Sequence, residues 1–313
     1  MQHAGLTASM NMNVYVNAFY MPMFFLISGY FLRIKKYSIE TYLYKKIKYL
    51  LIPYVIWGIF HLCIWILLYI IKPDAVSEMP STMVKGLLWD NNRHFPIAGA
   101  LWFISCLFVV SIFAYIIIKY FGNRVYTVLS VAFGCMGVFN HISMPWSCDS
   151  AMTANFFFMV GYNFSKYGNK IRRFFAKSPV IVCWMVDAIT IIVFCLFASL
   201  NGFTNIRECF YGNIPLLYLL IAVIGIAGWW ASSYILTCRM NIHPRLLSWI
   251  GENSMPYVCL NQLILSVLSR LYSQSILCQF VESIITIFVI GILVKMLKVN
   301  DKTVKLYNIL FGR

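Results

Sequence analysis

The sequence predicts an all-α protein, a polytopic transmembrane helical bundle, and three observations predict it. Hydrophobic residues make up 61% of the chain, only 11% are charged, and mean hydropathy is +0.77. A soluble domain carries roughly a quarter charged residues, so a water-facing surface cannot be assembled from this chain. The apolar residues fall in runs of membrane-crossing length, and lysine and arginine gather between those runs rather than within them.

A hydrocarbon core of about 30 Å needs roughly 20 apolar residues per helix. Nine runs meet or approach that length. The first, 14–32, contains Pro22, Ser28 and Gly29 and stops at Arg33, Lys35 and Lys36. Pro22 kinks this helix or marks its true start, and Ser28 and Gly29 allow close helix approach. The second, 49–71, follows Lys45, Lys46 and Lys48. The third and fourth, 97–118 and 125–140, flank Lys119 and Arg124, and the fifth, 151–165, ends at Lys166. The fourth and fifth are the shortest. The sixth and seventh, 179–200 and 214–237, are separated by a loop with a single arginine, Arg207. The eighth, 254–271, begins behind "GENSMP", where Asn253 or Ser254 can cap and Pro256 suits the first turn. The ninth, 276–294, stops at Lys295. With no internal repeat and no low-complexity tract, residues 1–313 read as one membrane-embedded domain.

Orientation follows from the basic residues. Twenty of the 25 lysines and arginines lie in one set of alternate loops, and five (Lys72, Lys85, Arg93, Arg207 and Arg270) lie in the other. The positive-inside rule places the first set in the cytoplasm and with it the C-terminus. The N-terminal tail then starts outside, and a tenth span upstream would restore an inside start. The net charge of +15 is scattered between apolar runs, which speaks for an anionic lipid leaflet and against nucleic acid. Ten cysteines form no C-x-x-C pair, so no metal site is expected. The first twelve residues lack the basic and apolar regions of a cleavable signal peptide.

Chemistry is sought among polar groups within or beside the spans, because burying them in hydrocarbon is costly. Asp187 lies mid-span, where a structural hydrogen bond and a functional carboxylate both remain open. Asn155, Asn163, Asn261 and Gln262 are expected to join helices. His61 reads as a core histidine, His243 as solvated and His3 as part of a tail, while His94 and His141 lie on the outer side within reach of a polar substrate. Trp102 is read as either a substrate contact or an interfacial anchor, and Asp149 as either a substrate contact or a helix cap. Lys45, Lys46 and Lys48 either grip an anionic cofactor or anchor to lipid headgroups. The helix start at Asn253 and Ser254 could hold phosphate as well as cap.

Five blocks then occur in order: "AFYMPMFFLISGYF", "KKIKYLLIPYVIWG", "GALWFISCLFVV", "NFFFMVGY" and "LLSWIGENSMPYVCLNQLI". In sequence and spacing they resemble the acyltransferase-3 family of integral membrane O-acyltransferases, most closely its branch similar to fucose 4-O-acetylases. The resemblance implies a bundle of about ten helices, of which the first is missing ahead of residue 14. It implies transfer of an acetyl group from cytoplasmic acetyl-CoA to a sugar hydroxyl of a cell-surface polysaccharide or its lipid-linked precursor in the bacterial inner membrane. His3 falls where the family carries a histidine that would act as general base, and the family's arginine would fall before Met1. The resemblance puts Lys45, Lys46, Lys48, Asn253 and Ser254 on the acyl-donor side, Trp102, His141 and Asp149 on the substrate side, and Ser28 and Asn261 among the polar groups of the bundle interior. Tyr20 and Asn261 occupy positions where relatives often have histidine. An inactive remnant of such an enzyme and a saccharide or small-solute transporter stay open as other readings.

Overall fold

The computed structural model describes residues 12–73, 79–89, 98–269 and 275–312; His3, His94, Arg93 and Arg270 lie outside them. Every element is helical, and the one strand-like pairing among the described residues is an isolated bridge between Asn205 and Phe210. In chain order the helices are α1 (Asn13–Tyr30), α2 (Ile39–Lys46), α3 (Ile52–Ile71), α4 (Pro80–Leu88), α5 (Trp102–Gly137), α6 (Cys148–Tyr167), α7 (Asn169–Lys177), α8 (Val180–Asn201), α9 (Pro215–Tyr234), α10 (Arg245–Glu252), α11 (Ser254–Leu268), α12 (Ile276–Leu297) and α13 (Asp301–Phe311). Five helical runs, at 39–71, 99–137, 180–201, 215–239 and 276–297, are long and apolar enough to cross a membrane.

Where they are described, the nine expected spans fall on helix except for a few residues at their ends, and two of them lie in one element. In α5, Gly122 has φ 85° and ψ 171°, a conformation open to glycine and closed to a continuing helix. The ring of Phe113 lies 5.3 Å from that of Phe133, whereas a straight helix would separate them by about 30 Å. α5 is therefore a hairpin of two arms, folded back at Gly122. The run 39–71 is continuous too: α2 passes into α3 through a π-helical turn at Ile47–Leu51.

The spine of the bundle is the packing of α6 against α1 and both arms of α5. A Cβ on Gly29 would run into the Phe158 carbonyl, and one on Gly161 into the Leu26 carbonyl. The two backbones touch directly, and two glycines make that possible. The close approach expected of the first span thus rests on Gly29. Ser28 spends its hydroxyl on the Phe24 carbonyl of its own helix (2.8 Å) and is only half-buried. Asn155 accepts from the Tyr126 hydroxyl (3.0 Å) and donates to Ser130 (2.9 Å). Asn163 accepts from Asn123 and donates to Thr127, both at 3.1 Å, so the two asparagines tie α6 to the second arm of α5. Asp187 of α8 is buried and accepts from Ser232 of α9 (2.6 Å), which is the structural bond that its position allowed.

The basic loops collect at one end. There Tyr115 donates to the Tyr37 carbonyl (2.7 Å), Arg172 donates to the Tyr30 hydroxyl (3.2 Å), and Arg239 donates to the carbonyls of Phe175 and Ala176. Three short helices, α7, α10 and α13, each too short to span, lie at this end with α2, the first part of the run 39–71. α7 carries Lys170, Arg173 and Lys177 on its exposed side and buries Phe175, the pattern of a helix lying in the headgroup region. A reading based on runs of about 20 residues treats such helices as loops.

Candidate functional site

At the far end, opposite the basic loops, four segments converge on the turn that carries Arg207. The turn lies in the loop between α8 and α9, and Asn201 organises that loop. Asn201 is fully buried, donates to the Tyr211 carbonyl (2.9 Å), and accepts from the Ile214 amide (2.8 Å). Gly212, at φ 79°, lies so close to Asn201 that a Cβ would strike its carbonyl. Within the loop Asn205 and Phe210 exchange backbone hydrogen bonds, and the Asn205 side chain accepts from the Arg207 amide (3.1 Å). A turn this tightly bonded presents its central side chain in one direction.

Arg207 points at the segment leading into α5. A Cβ on Gly99 would come within 2.5 Å of its Nη1, so the guanidinium rests on the bare backbone at Gly99. The next residue, Ala100, donates its amide to Gln262 of α11 (3.1 Å). Trp102 follows at the start of α5 and is buried against Phe25 of α1, ring centroids 6.3 Å apart. That burial removes the interfacial-anchor reading. From α6, Ser150 donates to the Ile206 carbonyl (2.9 Å), fixing the same turn. Burial lowers the pKa of Arg207, while the nearby Glu208 and Tyr20 act in the opposite direction.

Asp149 is fully buried in the first turn of α6, where its carboxylate accepts from the amides of Ser150 (2.8 Å) and Met144 (3.4 Å). The two residues before Cys148, Trp146 and Ser147, both have φ 58°. Left-handed backbone is unusual for such side chains and persists only where the surroundings hold it. Here the Trp146 amide donates to the Trp89 carbonyl (2.9 Å). His141, on the loop before this turn, is exposed. Tyr218 of α9 and Thr204 of the Arg207 loop are buried with hydroxyls that find no hydrogen-bond partner among the described residues, and the buried Tyr211 phenol lies beside the Thr153 hydroxyl. The rings of Tyr211 and Tyr218 are 5.1 Å apart. Burial raises the Tyr211 pKa well above that of a free phenol, so the group stays a protonated donor.

The basic end holds the residues expected on the donor side, in two groups joined by α13. The lysines lie over tyrosine rings: Lys45 is 3.7 Å from the centroid of Tyr37, Lys46 5.4 Å from Tyr42 and Lys48 5.6 Å from Tyr49, close enough for cation–π attraction. Asn253 does not cap α11. Its side chain is turned inward, where it accepts from Lys298 (2.5 Å) and Tyr307 (2.9 Å) and donates to the Trp249 carbonyl (2.7 Å). A buried amide can do more for stability by joining α10, α12 and α13 than by satisfying one helix end. Ser254 is exposed. Asn261 is half-buried and accepts only from the next amide, Gln262 (2.6 Å), among the bonds described; the helix-joining role in this pair falls to Gln262.

The structure therefore brings together Trp102 with its neighbours Gly99 and Ala100 at the far end, and Lys45, Lys46, Lys48 and Asn253 at the basic end. Arg207, Tyr211, Tyr218 and Gln262 are the far-end residues that the sequence left without a role in binding. No group of three or more histidine, cysteine or acidic side chains able to hold a metal occurs among the described residues. No curated protein and no solved structure matches the chain. The acyltransferase-3 family model, whose description is an acyltransferase domain, matches residues 2–299. With nearly the whole helical bundle inside that match, the chain belongs to the acyltransferase-3 family of membrane acyltransferases.

Proposed function

We propose that this protein is an O-acetyltransferase that takes acetyl from acetyl-CoA at its basic end. At the far end it gives the acetyl to a sugar hydroxyl of a cell-surface polysaccharide or its lipid-linked precursor. The basic end and the C-terminus then face the cytoplasm of a bacterial inner membrane, as the lysine bias favours. The observation that carries the reading is the far-end cluster. A guanidinium seated on bare backbone is carried by a loop in which the buried Thr204 hydroxyl, like that of Tyr218 at the start of α9, lacks a partner, and a polyhydroxylated acceptor would supply such partners. Buried polar groups left unbonded are costly, so a ligand that satisfies several at once binds with selectivity.

The chemistry needed is modest. A base takes the proton of the sugar hydroxyl as its oxygen attacks the acyl carbon. The bond from that carbon to the thioester sulfur, or to an intermediate acyl carrier, breaks, and the leaving group accepts a proton. His3, outside the described residues, is the proposed base. Arg207, Tyr211 and Tyr218 orient the acceptor, with Trp102, Asp149 and His141 on the same side. Lys45, Lys46, Lys48, Asn253 and Ser254 lie on the donor side. The test is to incubate membranes containing the chain with radiolabelled acetyl-CoA and envelope polysaccharide. Alkali-labile label on the sugar supports the reading, and label absent from every envelope saccharide tried overturns it.

A further inference from the structure

α12 is long and apolar enough to cross a membrane, yet the half of it nearer the far end buries four polar side chains. Gln279, Glu282, Ser283 and Thr286 are each at most 5% exposed. At 3.6 residues per turn they fall within an arc of about 100° on one face of the helix. The same face continues inward as Ile290 and Val294, both buried. A polar strip therefore runs about 10 Å into the bundle from the far end and stops against apolar side chains.

Glu282 is the member of the strip that the fold leaves unsatisfied. Its Oε1 is buried and has no hydrogen-bond partner among the described residues. α11 packs alongside, with the Tyr257 hydroxyl on the Ile287 carbonyl (3.3 Å), and carries no lysine, arginine or histidine. On α12 itself the one basic residue is Lys295, about 20 Å further along the axis. The neighbouring hydroxyls offer Glu282 no proton. Ser283 donates to the Gln279 carbonyl and Thr286 to the Glu282 carbonyl, both at 2.8 Å. Each has spent its single hydrogen and keeps only lone pairs. A carboxylate and two such oxygens on one buried face accept and do not donate. An ionisable group inside a membrane span is costly to leave alone and marks a functional position, and a surface made of acceptors attracts a cation.

We infer that Glu282, with the hydroxyl oxygens of Thr286 and Ser283, binds a monovalent alkali cation within the membrane span. Oxygen donors without nitrogen or sulfur select hard cations, and one carboxylate balances one positive charge. Thr286 follows Glu282 by four residues, the spacing at which two side chains of a helix meet. Ser283 lies beside them on the same buried face. The bound ion offsets the charge of the carboxylate and so steadies this half of α12 against α11. The inference does not depend on acetyl transfer.

The experiment uses the full chain in nanodiscs of phosphatidylcholine, with choline in place of alkali cations at constant ionic strength. Binding of radiolabelled sodium is measured directly, and thermal melting is followed as sodium replaces choline. The unaltered chain should bind sodium, and its melting temperature should rise with sodium because the ion binds the folded state. Glu282→Gln should abolish both responses and melt in choline no lower than the unaltered chain. Thr286→Val keeps the shape, removes one oxygen and should weaken sodium binding about tenfold. Asp187→Asn, a change to the buried carboxylate that Ser232 bonds, should leave sodium binding as it was. Binding and melting that ignore sodium and potassium alike overturn the inference and leave a bridging water as the partner of Glu282. A sodium response that survives Glu282→Gln, or that Asp187→Asn removes equally, overturns it as well. Neither readout measures transfer, so a chain that proves inactive in the acetylation assay leaves both intact.

Discussion

At the far end, Arg207 rides on a turn whose backbone is held by the side chains of Asn201, Asn205 and Ser150. At the basic end, Lys45, Lys46 and Lys48 lie over tyrosine rings, while Asn253 and Arg172 act as hydrogen-bonded hubs. Under the proposed function the contrast follows the chemistry each end would serve. A neutral polyol is read by hydrogen bonds of fixed direction, which need a rigid frame. A phosphate is read by charge, which tolerates long flexible side chains and needs only that they are not neutralised by carboxylates.

The comparison assumes that the two ends share one spine, and the largest effect should come from breaking it. Gly29→Val would force a branched side chain into the Phe158 carbonyl, at a cost of about 3 kcal/mol. Thermal melting in detergent should fall sharply and both ligand classes should be lost together. An unshifted melt would mean that the ends are organised independently. Asn201→Ala should act at the far end alone. It strips two hydrogen bonds from a buried loop and should lose roughly 2 kcal/mol of stability. Transfer should fall through the acceptor KM while the donor KM holds, and a matched rise in both would erase the distinction.

Arg207→Lys keeps the charge and loses the planar fork that rests on Gly99. Acceptor KM should rise about tenfold with donor KM unchanged. Asn253→Ala is its counterpart at the basic end. It frees Lys298 and Tyr307, and the donor KM should respond instead. The smallest effect concerns Tyr37, whose pKa is lowered first by Lys45 and then by Lys36. Lys45→Ala should move its phenol titration, followed by ultraviolet absorbance, back up toward the ordinary value. A titration that stays in place would show that Lys45 is not held over the ring in solution.

Some of the site was legible before the fold was known. Lys45, Lys46 and Lys48 stood out because a basic run beside an apolar one marks a membrane boundary, and Gly29 because a small residue in an apolar helix marks a close crossing. Arg207 did not, since a single arginine in a loop carries no periodicity. Its one local signal was the stretch "NGFTNIRECFYGN", in which asparagines and glycines crowd a short connection between two spans. That composition announces a tight turn without saying what the turn faces. Asn253 was misjudged for the same reason. A cap needs only its own helix, whereas Lys298 and Tyr307 reach Asn253 from far along the chain.

The sequence by itself determined the all-helical membrane class, the apolar stretches that became helices and the clustering of positive charge between them. Each of these depends on hydropathy and charge counted over neighbouring residues, and the bilayer enforces them segment by segment. Only the tertiary structure decided that α5 doubles back at Gly122, that Arg207 lies on Gly99, and that the polar strip of α12 bearing Glu282 is buried. These are contacts between residues distant in sequence. They are set by which side chains pack when helices cross, and no property of a single helix encodes them.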